Sequence, residues 1–145
     1  MTAEPNYGLD TSVAVPLLVM SHEEHLMVAS WAHGRTVGLC GHALIETYSV
    51  LTRLPGDARL SPEDAVALMN DNFPISWMLS ADTARQAHRE LASLGVTGGA
   101  TYDGLVALAA REHQIVLVTR DARARSTYEA VGAQVAILDS QRFRS

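Results

Sequence analysis

Ile115-Val116-Leu117-Val118-Thr119-Arg120-Asp121 is the stretch on which the fold turns. Its first four residues form a continuous apolar run with three β-branched members, the composition of a strand buried on both faces. Such strands belong to parallel sheets covered by helices on either side. The run ends in a hydroxyl, a cation and a carboxylate, so the chain changes character abruptly where the strand would leave the sheet.

The rest of the chain alternates in the same way. Tyr7-Gly8-Leu9 reads as a first strand leading into Asp10. Ser21-His22-Glu23-Glu24 has the form of a capping box and predicts a helix opening there and stopping at Gly34. Thr36 to Cys40 reads as a second strand. Leu44, Ile45, Tyr48 and Leu51 follow helical spacing up to Pro55-Gly56. Ser61-Pro62-Glu63-Asp64 places an N-cap, a proline at the first helical position and two acids in the first turn, and the helix it starts should end near Phe73-Pro74. Ile75 to Leu79 reads as a third strand, and a helix from about Asp82 to Leu94 follows. Residues 95–99 hold three glycines and form a loop. Ala100 to Glu112 is an Ala/Leu-rich helix; after the 115–118 strand, a short helix ends at Gly132 and Val135 to Leu138 closes the series. Strand and helix alternate throughout, so the expected class is α/β: three layers, with a mainly parallel central sheet flanked by helices. With no repeat or linker, residues 1–145 are expected to form a single domain.

Composition narrows the function. The longest apolar run, Val13 to Met20, is interrupted by Pro16 and far shorter than the roughly 18 residues of a membrane span. No Arg or Lys precedes it, as a signal peptide would require, so a cytoplasmic location without membrane attachment is expected. The one cysteine, Cys40, excludes an internal disulfide and a multi-cysteine zinc site, and its apolar neighbours mark it as a core residue. All eleven basic residues are arginine. Without lysine there is no Walker A phosphate loop and no Schiff-base chemistry. The net charge of −5 argues against nucleic-acid binding by bulk basicity. One divalent cation would change −5 to −3, and two would leave −1.

In open parallel sheets, ligands collect beyond the carboxyl ends of the strands. Asp10 and Asp121 fall there. Each has another use, as a cap for the following helix, although Thr11 and Ser12 offer Asp10 a substitute. Glu46 lies in a helix among Leu44, Ile45 and Tyr48, where a buried acid requires a partner; otherwise it faces solvent or pairs with Arg53, two turns on. Asp103 stands near the start of the 100–112 helix, where the helix dipole alone would favour it. Four acids in four sheet-adjacent places are harder to explain singly than together.

Taken in order, Leu9-Asp10-Thr11-Ser12-Val13, the helical Glu46, Tyr102-Asp103-Gly104-Leu105-Val106-Ala107 and Leu117-Val118-Thr119-Arg120-Asp121 resemble the four acidic motifs of PIN domains. More narrowly, the chain is similar to VapC toxins, the ribonuclease halves of bacterial toxin–antitoxin pairs. The resemblance runs from Tyr7 to Leu138 and includes Tyr128-Glu129-Ala130-Val131-Gly132-Ala133-Gln134-Val135. Two positions depart from the usual pattern: Gly104 stands where alanine is common, and Arg120 precedes Asp121. The resemblance implies a metal-dependent endoribonuclease that leaves a 5′-phosphate and a 3′-hydroxyl. Asp10, Glu46, Asp103 and Asp121 would be its catalytic and metal-binding residues. It also implies a VapB-like antitoxin that blocks the site, an RNA substrate such as tRNA, and a homodimer.

Carboxylates are hard oxygen donors suited to Mg²⁺ or Mn²⁺, and four together would repel one another without a cation. Ser12 and Thr119 carry hydroxyls that would support the acids from behind. Arg120, Arg123 and Arg125, with Arg53, are candidates for RNA phosphates, or else a solvated polar face. Two other readings are a phosphatase or phosphate-transfer domain on a similar scaffold, and a catalytically silent PIN-like binding module. The first lacks both a lysine and the second aspartate of a DxD motif; the second must account for all four acids. His22-Glu23-Glu24-His25 is not a zinc-protease motif, because its histidines are three apart rather than four. Trp31 and Trp77 read as core aromatics.

Overall fold

The computed structural model describes residues 4–139 and the backbone of 143–144. In chain order its elements are β1 (Tyr7–Leu9), α1 (Thr11–Leu18), α2 (His25–Ala32), β2 (Val37–Cys40), α3 (Ala43–Leu51), a 3₁₀ turn (Gly56–Ala58), α4 (Pro62–Asn72), β3 (Ser76–Trp77), α5 (Ala81–Ser93), α6 (Ala100–His113), β4 (Val116–Thr119), α7 (Ala122–Val131), β5 (Gln134–Leu138) and β6 (Phe143–Arg144). The strands form one sheet in the order β3-β2-β1-β4-β5-β6. The first five are mutually parallel and β6 is antiparallel to β5.

The 115–118 run behaves as its composition requires. Ile115 and Leu117 join a core with α5, α6 and α7, whereas Val116 and Val118 join a second core with α1, α2 and α4. Alternate residues of one strand therefore feed two hydrophobic layers, which gives the expected three-layer sandwich. Trp31 and Trp77 lie one in each core. Cys40 is buried, its thiol donating to the Val106 carbonyl at 3.4 Å, and burial pushes its pKa up to about 12, so it is chemically inert at neutral pH.

The strand order reverses between β1 and β4. That switch point opens a crevice at the carboxyl edge of the sheet, and both strands end there in an aspartate-bearing segment. Gly41 (φ +55°) lets the chain leave β2 against α6; a Cβ there would stand 2.9 Å from the Leu105 carbonyl oxygen. Gly104 sits against side chains alone. A Cβ on it would approach Leu91 Cδ2 to 2.7 Å, so the bulk that alanine would supply comes instead from Leu91 on α5.

Three local expectations need correction. The Ser21–Glu24 segment is not a capping box: α2 begins only at His25, without a side-chain cap, and the Glu24 amide donates to His22 Nδ1 instead. An imidazole acceptor nearer in sequence captured the donor that the box would have used. The third strand is two residues rather than five. β6 was not foreseen. The Ser61 cap does form, its hydroxyl accepting from the Asp64 amide.

Candidate active site

Asp10, Glu46, Asp103 and Asp121 all line one cavity of about 130 Å³, together with Thr11, Ser12, Val106, Ala124 and Tyr128. They come from four places: the end of β1, the first turn of α3, the first turn of α6 and the N-cap of α7. Asp10, Glu46 and Asp121 lie where β1, β2 and β4 leave the sheet and the next helix starts, whereas Asp103 is brought there by α6, which follows α5 and a glycine-bearing loop.

Asp10 is the most enclosed, at 4% exposure. It does not cap α1. Its Oδ1 accepts from the Ser12 hydroxyl at 2.6 Å and its Oδ2 from the Tyr128 hydroxyl at 2.8 Å. Burial raises its pKa, against the hydrogen bonds of Ser12, Thr119 and Tyr128, which favour the charged form. Burial and the neighbouring Asp10 charge hold the Tyr128 phenol well above its ordinary range, so it remains a donor. Sequence reading missed this role for Tyr128. The available signal was helical spacing: Ala124, Tyr128 and Val131 share the buried face of α7, and a buried tyrosine hydroxyl needs a partner.

Ser12 is a junction. Its oxygen receives the Arg120 amide at 2.8 Å and lies 3.3 Å from the Thr119 hydroxyl. Thr119 is fully buried, and its oxygen accepts the Asp121 amide at 3.0 Å. The two hydroxyls together tie the end of β1 to the loop after β4.

Glu46 is part-buried, accepts from the Thr11 hydroxyl at 3.1 Å, and lies 3.5 Å from His42 Nε2. It does not pair with Arg53, which bonds Ser49 instead. Asp103 is raised above the ordinary carboxylate range, first by burial and then by the charges of Glu46, Asp10 and Asp121, with His42 opposing. Asp121 has two duties: it lines the cavity, and its Oδ1 caps α7 by accepting the Arg123 amide at 2.9 Å.

The arginines are less uniform. The cavity lining contains none of them. Arg120 reaches the Ser12 carbonyl at 3.4 Å, and Arg123 extends into solvent with its Nε 3.7 Å from Asp121. Arg125 is paired with Glu129 one turn along α7, and Arg53 stands beyond the end of α3.

The donor set is all carboxylate oxygen, the kind that Mg²⁺ and Mn²⁺ prefer. The acids border the cavity without closing on it: among the described residues, no three Asp, Glu, His or Cys side chains stand gathered as a ready-made metal-ligand set. Mutual repulsion accounts for that spacing, and the raised Asp103 carboxyl reports the same repulsion. A cation would relieve it, so the residues fit a divalent ion.

A family model described as PIN domain matches residues 7–130. The chain is 53% identical over 134 residues to Ribonuclease VapC27 of Mycobacterium tuberculosis, covering 92% of this chain and 98% of that one. It is 42% identical over 130 residues to Ribonuclease VapC40 of the same species, covering 89% and 96%. The crystal structure of VapBC2 from Rickettsia felis bound to a promoter DNA fragment superposes with a TM-score of 0.64 over 92% of this chain and 99% of that one. At 15% identity, this last likeness is one of fold.

Proposed function

The chain belongs to the PIN domain family, and from that membership we propose that it is a VapC-type endoribonuclease, the toxin of a toxin–antitoxin pair. It hydrolyses RNA phosphodiester bonds at the cavity of Asp10, Glu46, Asp103 and Asp121. The observation that carries this reading is the meeting of four carboxylates from four separate elements at the switch point of the sheet. High identity to two ribonucleases over nearly the whole chain supports the chemistry and weighs against the phosphatase reading.

In this reading the four acids hold Mg²⁺ or Mn²⁺. When bound, the ion supplies a polarised scissile phosphate and a water of lowered pKa. The rest is the work of the chain. Ser12 and Tyr128 fix both oxygens of Asp10, so that carboxylate meets its ligand without reorganising. Thr11 orients Glu46. Burial and repulsion keep Asp103 high in energy when ionised, which sharpens the cavity's demand for positive charge. Arg120 and Arg123, beside Ser12 and Asp121, are placed to grip flanking phosphates. Arg53 and Arg125 lie further out and would serve a longer RNA.

The partner is a VapB-like antitoxin, whose blocking peptide would offer an arginine to the acids. The assembled form is a homodimer. Exposed Ile45, Val66 and Met78 border two neighbouring apolar clefts of about 390 and 310 Å³, the kind of surface that a protein contact covers. No helix among the described residues is long and apolar enough to cross a membrane; an RNA substrate places the protein in the cytoplasm.

The test is growth after induced expression, with cleavage of total RNA or tRNA in vitro, comparing wild type and Asp10→Asn after melts confirm that both fold. Wild type should arrest growth and cleave RNA only until EDTA is added, with Mg²⁺ or Mn²⁺ restoring cleavage. Undiminished cleavage by folded Asp10→Asn, or cleavage indifferent to EDTA, would overturn the proposal.

A further inference from the structure

The imidazole of His42 stacks on the ring of Tyr102, with centroids 4.9 Å apart and planes inclined by 27°. The pair stands at the rim of the acidic cavity. His42 is linked to Glu46, and Tyr102 is the residue before Asp103 in the first turn of α6. Neither ring belongs to either hydrophobic core, and Tyr102 is 53% exposed. Burial therefore does not explain this aromatic. Its only ring partner among the described residues is His42, and more than half of the residue stays exposed, next in sequence to Asp103.

An exposed aromatic face next to a phosphodiester-cleaving centre has a natural ligand. Every nucleobase presents a flat π-face, and stacking on tyrosine works for any base whose neighbours do not already cover it. Such bases occur in loops, bulges and single strands, not within paired helices. Backing by His42, itself linked to Glu46, fixes the ring before substrate arrives and removes an ordering cost that a free surface tyrosine would carry. The cavity is lined by the four carboxylates and Tyr102 is not among its lining residues, so a base on that ring would lie beside the acids rather than among them.

We infer that Tyr102, backed by His42, is the platform on which an unpaired RNA base next to the scissile phosphate stacks. This rests on the ribonuclease reading and assigns to that site the residue that holds the base.

The test measures binding of three fluorescein-labelled 12-mers by anisotropy, with Ca²⁺ replacing Mg²⁺: oligo(A), oligo(U) and an abasic ribose-phosphate chain. Wild type should bind oligo(A) more tightly than the abasic chain. Tyr102→Ala should weaken oligo(A) binding roughly 5- to 150-fold, the range of a lost base–aromatic stack, and leave abasic binding unchanged. Tyr102→Phe and Tyr102→Trp should keep oligo(A) affinity within about threefold, because each retains a π-face. Equal losses on oligo(A) and the abasic chain would mean that the ring supports the site's shape rather than a base, and would overturn the inference. So would unchanged RNA affinity accompanied by a shift in oligomeric state, which would assign the ring to a protein contact. Total-RNA cleavage is followed in parallel. Normal cleavage with unchanged oligo(A) affinity in Tyr102→Ala removes the platform and leaves the nuclease, whereas a wild type that cleaves no RNA removes both.

Discussion

One helix carries a carboxylate in its first turn and another in its last, and their environments are opposite. Asp103 and Glu112 lie nine residues apart on α6, about 14 Å along its axis. The helix dipole should favour the first charge and disfavour the second, each by about 0.3–1 kcal/mol. Both carboxyls shift the other way. Burial and three neighbouring carboxylates raise Asp103, whereas hydrogen bonds from the Thr83 hydroxyl and from the amide and hydroxyl of Ser80 lower Glu112. Short-range neighbours outweigh the dipole at both ends. Glu112 is a clamp that joins the N-cap of α5 to the end of α6, and its charge is answered within the fold. The charge of Asp103 meets three like charges and burial, with only His42 opposing them, the imbalance expected of a group kept for a ligand.

The largest effect that separates the two ends is catalytic. Asp103→Asn should lower RNA cleavage by roughly two to four orders of magnitude, the scale of losing a group that stabilises transition-state charge. Glu112→Gln, measured on the same RNA, should leave the rate unchanged. A comparable loss in both would mean that α6 acts only as a scaffold. Next in size is Tyr128→Phe. It removes the phenol that holds Asp10 and should cost about 10- to 100-fold in cleavage, as loss of a supporting hydrogen bond does at metal sites, with α7 still folded by circular dichroism.

The smallest effects are in stability, and their signs differ. Raising a carboxyl's pKa on folding means that its ionised form costs the native state. For Asp103 that cost is absent below the unfolded value near 3.8 and grows as pH rises through the higher folded value. In EDTA, Asp103→Asn should therefore melt above wild type at pH 7, with the gain vanishing as pH falls toward 3.5. Glu112 is lowered, so its contribution is present above the unfolded value near 4.5 and is lost as pH falls through the folded value. Glu112→Gln should melt about 2–4 °C below wild type at pH 7, with the gap closing in acid. Melting curves whose pH trends share a sign would dissolve the contrast.

The sequence exposed the carboxylates because acids at strand ends and helix starts stand out against apolar runs. It exposed the layers because the 115–118 run is apolar at every position while the helices keep a polar face. Other features depended on what lies far away in the chain. Tyr128 looks like a core residue until Asp10, 118 positions earlier, is found against its hydroxyl. Glu46 could face solvent or pair with Arg53 by spacing alone, and the fold gave it Thr11 and His42 instead. The Ser21 box failed on a competing local acceptor, which pattern matching does not weigh. The order β2-β1-β4, which makes the switch point, is not written in any local segment.

Chain order has a temporal side. A ribosome adds Asp10 more than a hundred residues before the Arg120 amide and the Tyr128 hydroxyl that organise its surroundings. At about 5–20 residues per second, the 118 positions between Asp10 and Tyr128 take roughly 6–24 s to synthesise. Throughout that interval the growing chain holds carboxylates but no assembled site. A product that stops short of residue 119 would carry three of the four acids and cut nothing. Each growing chain is thus inactive until its last acid and the supports of its first one have been added.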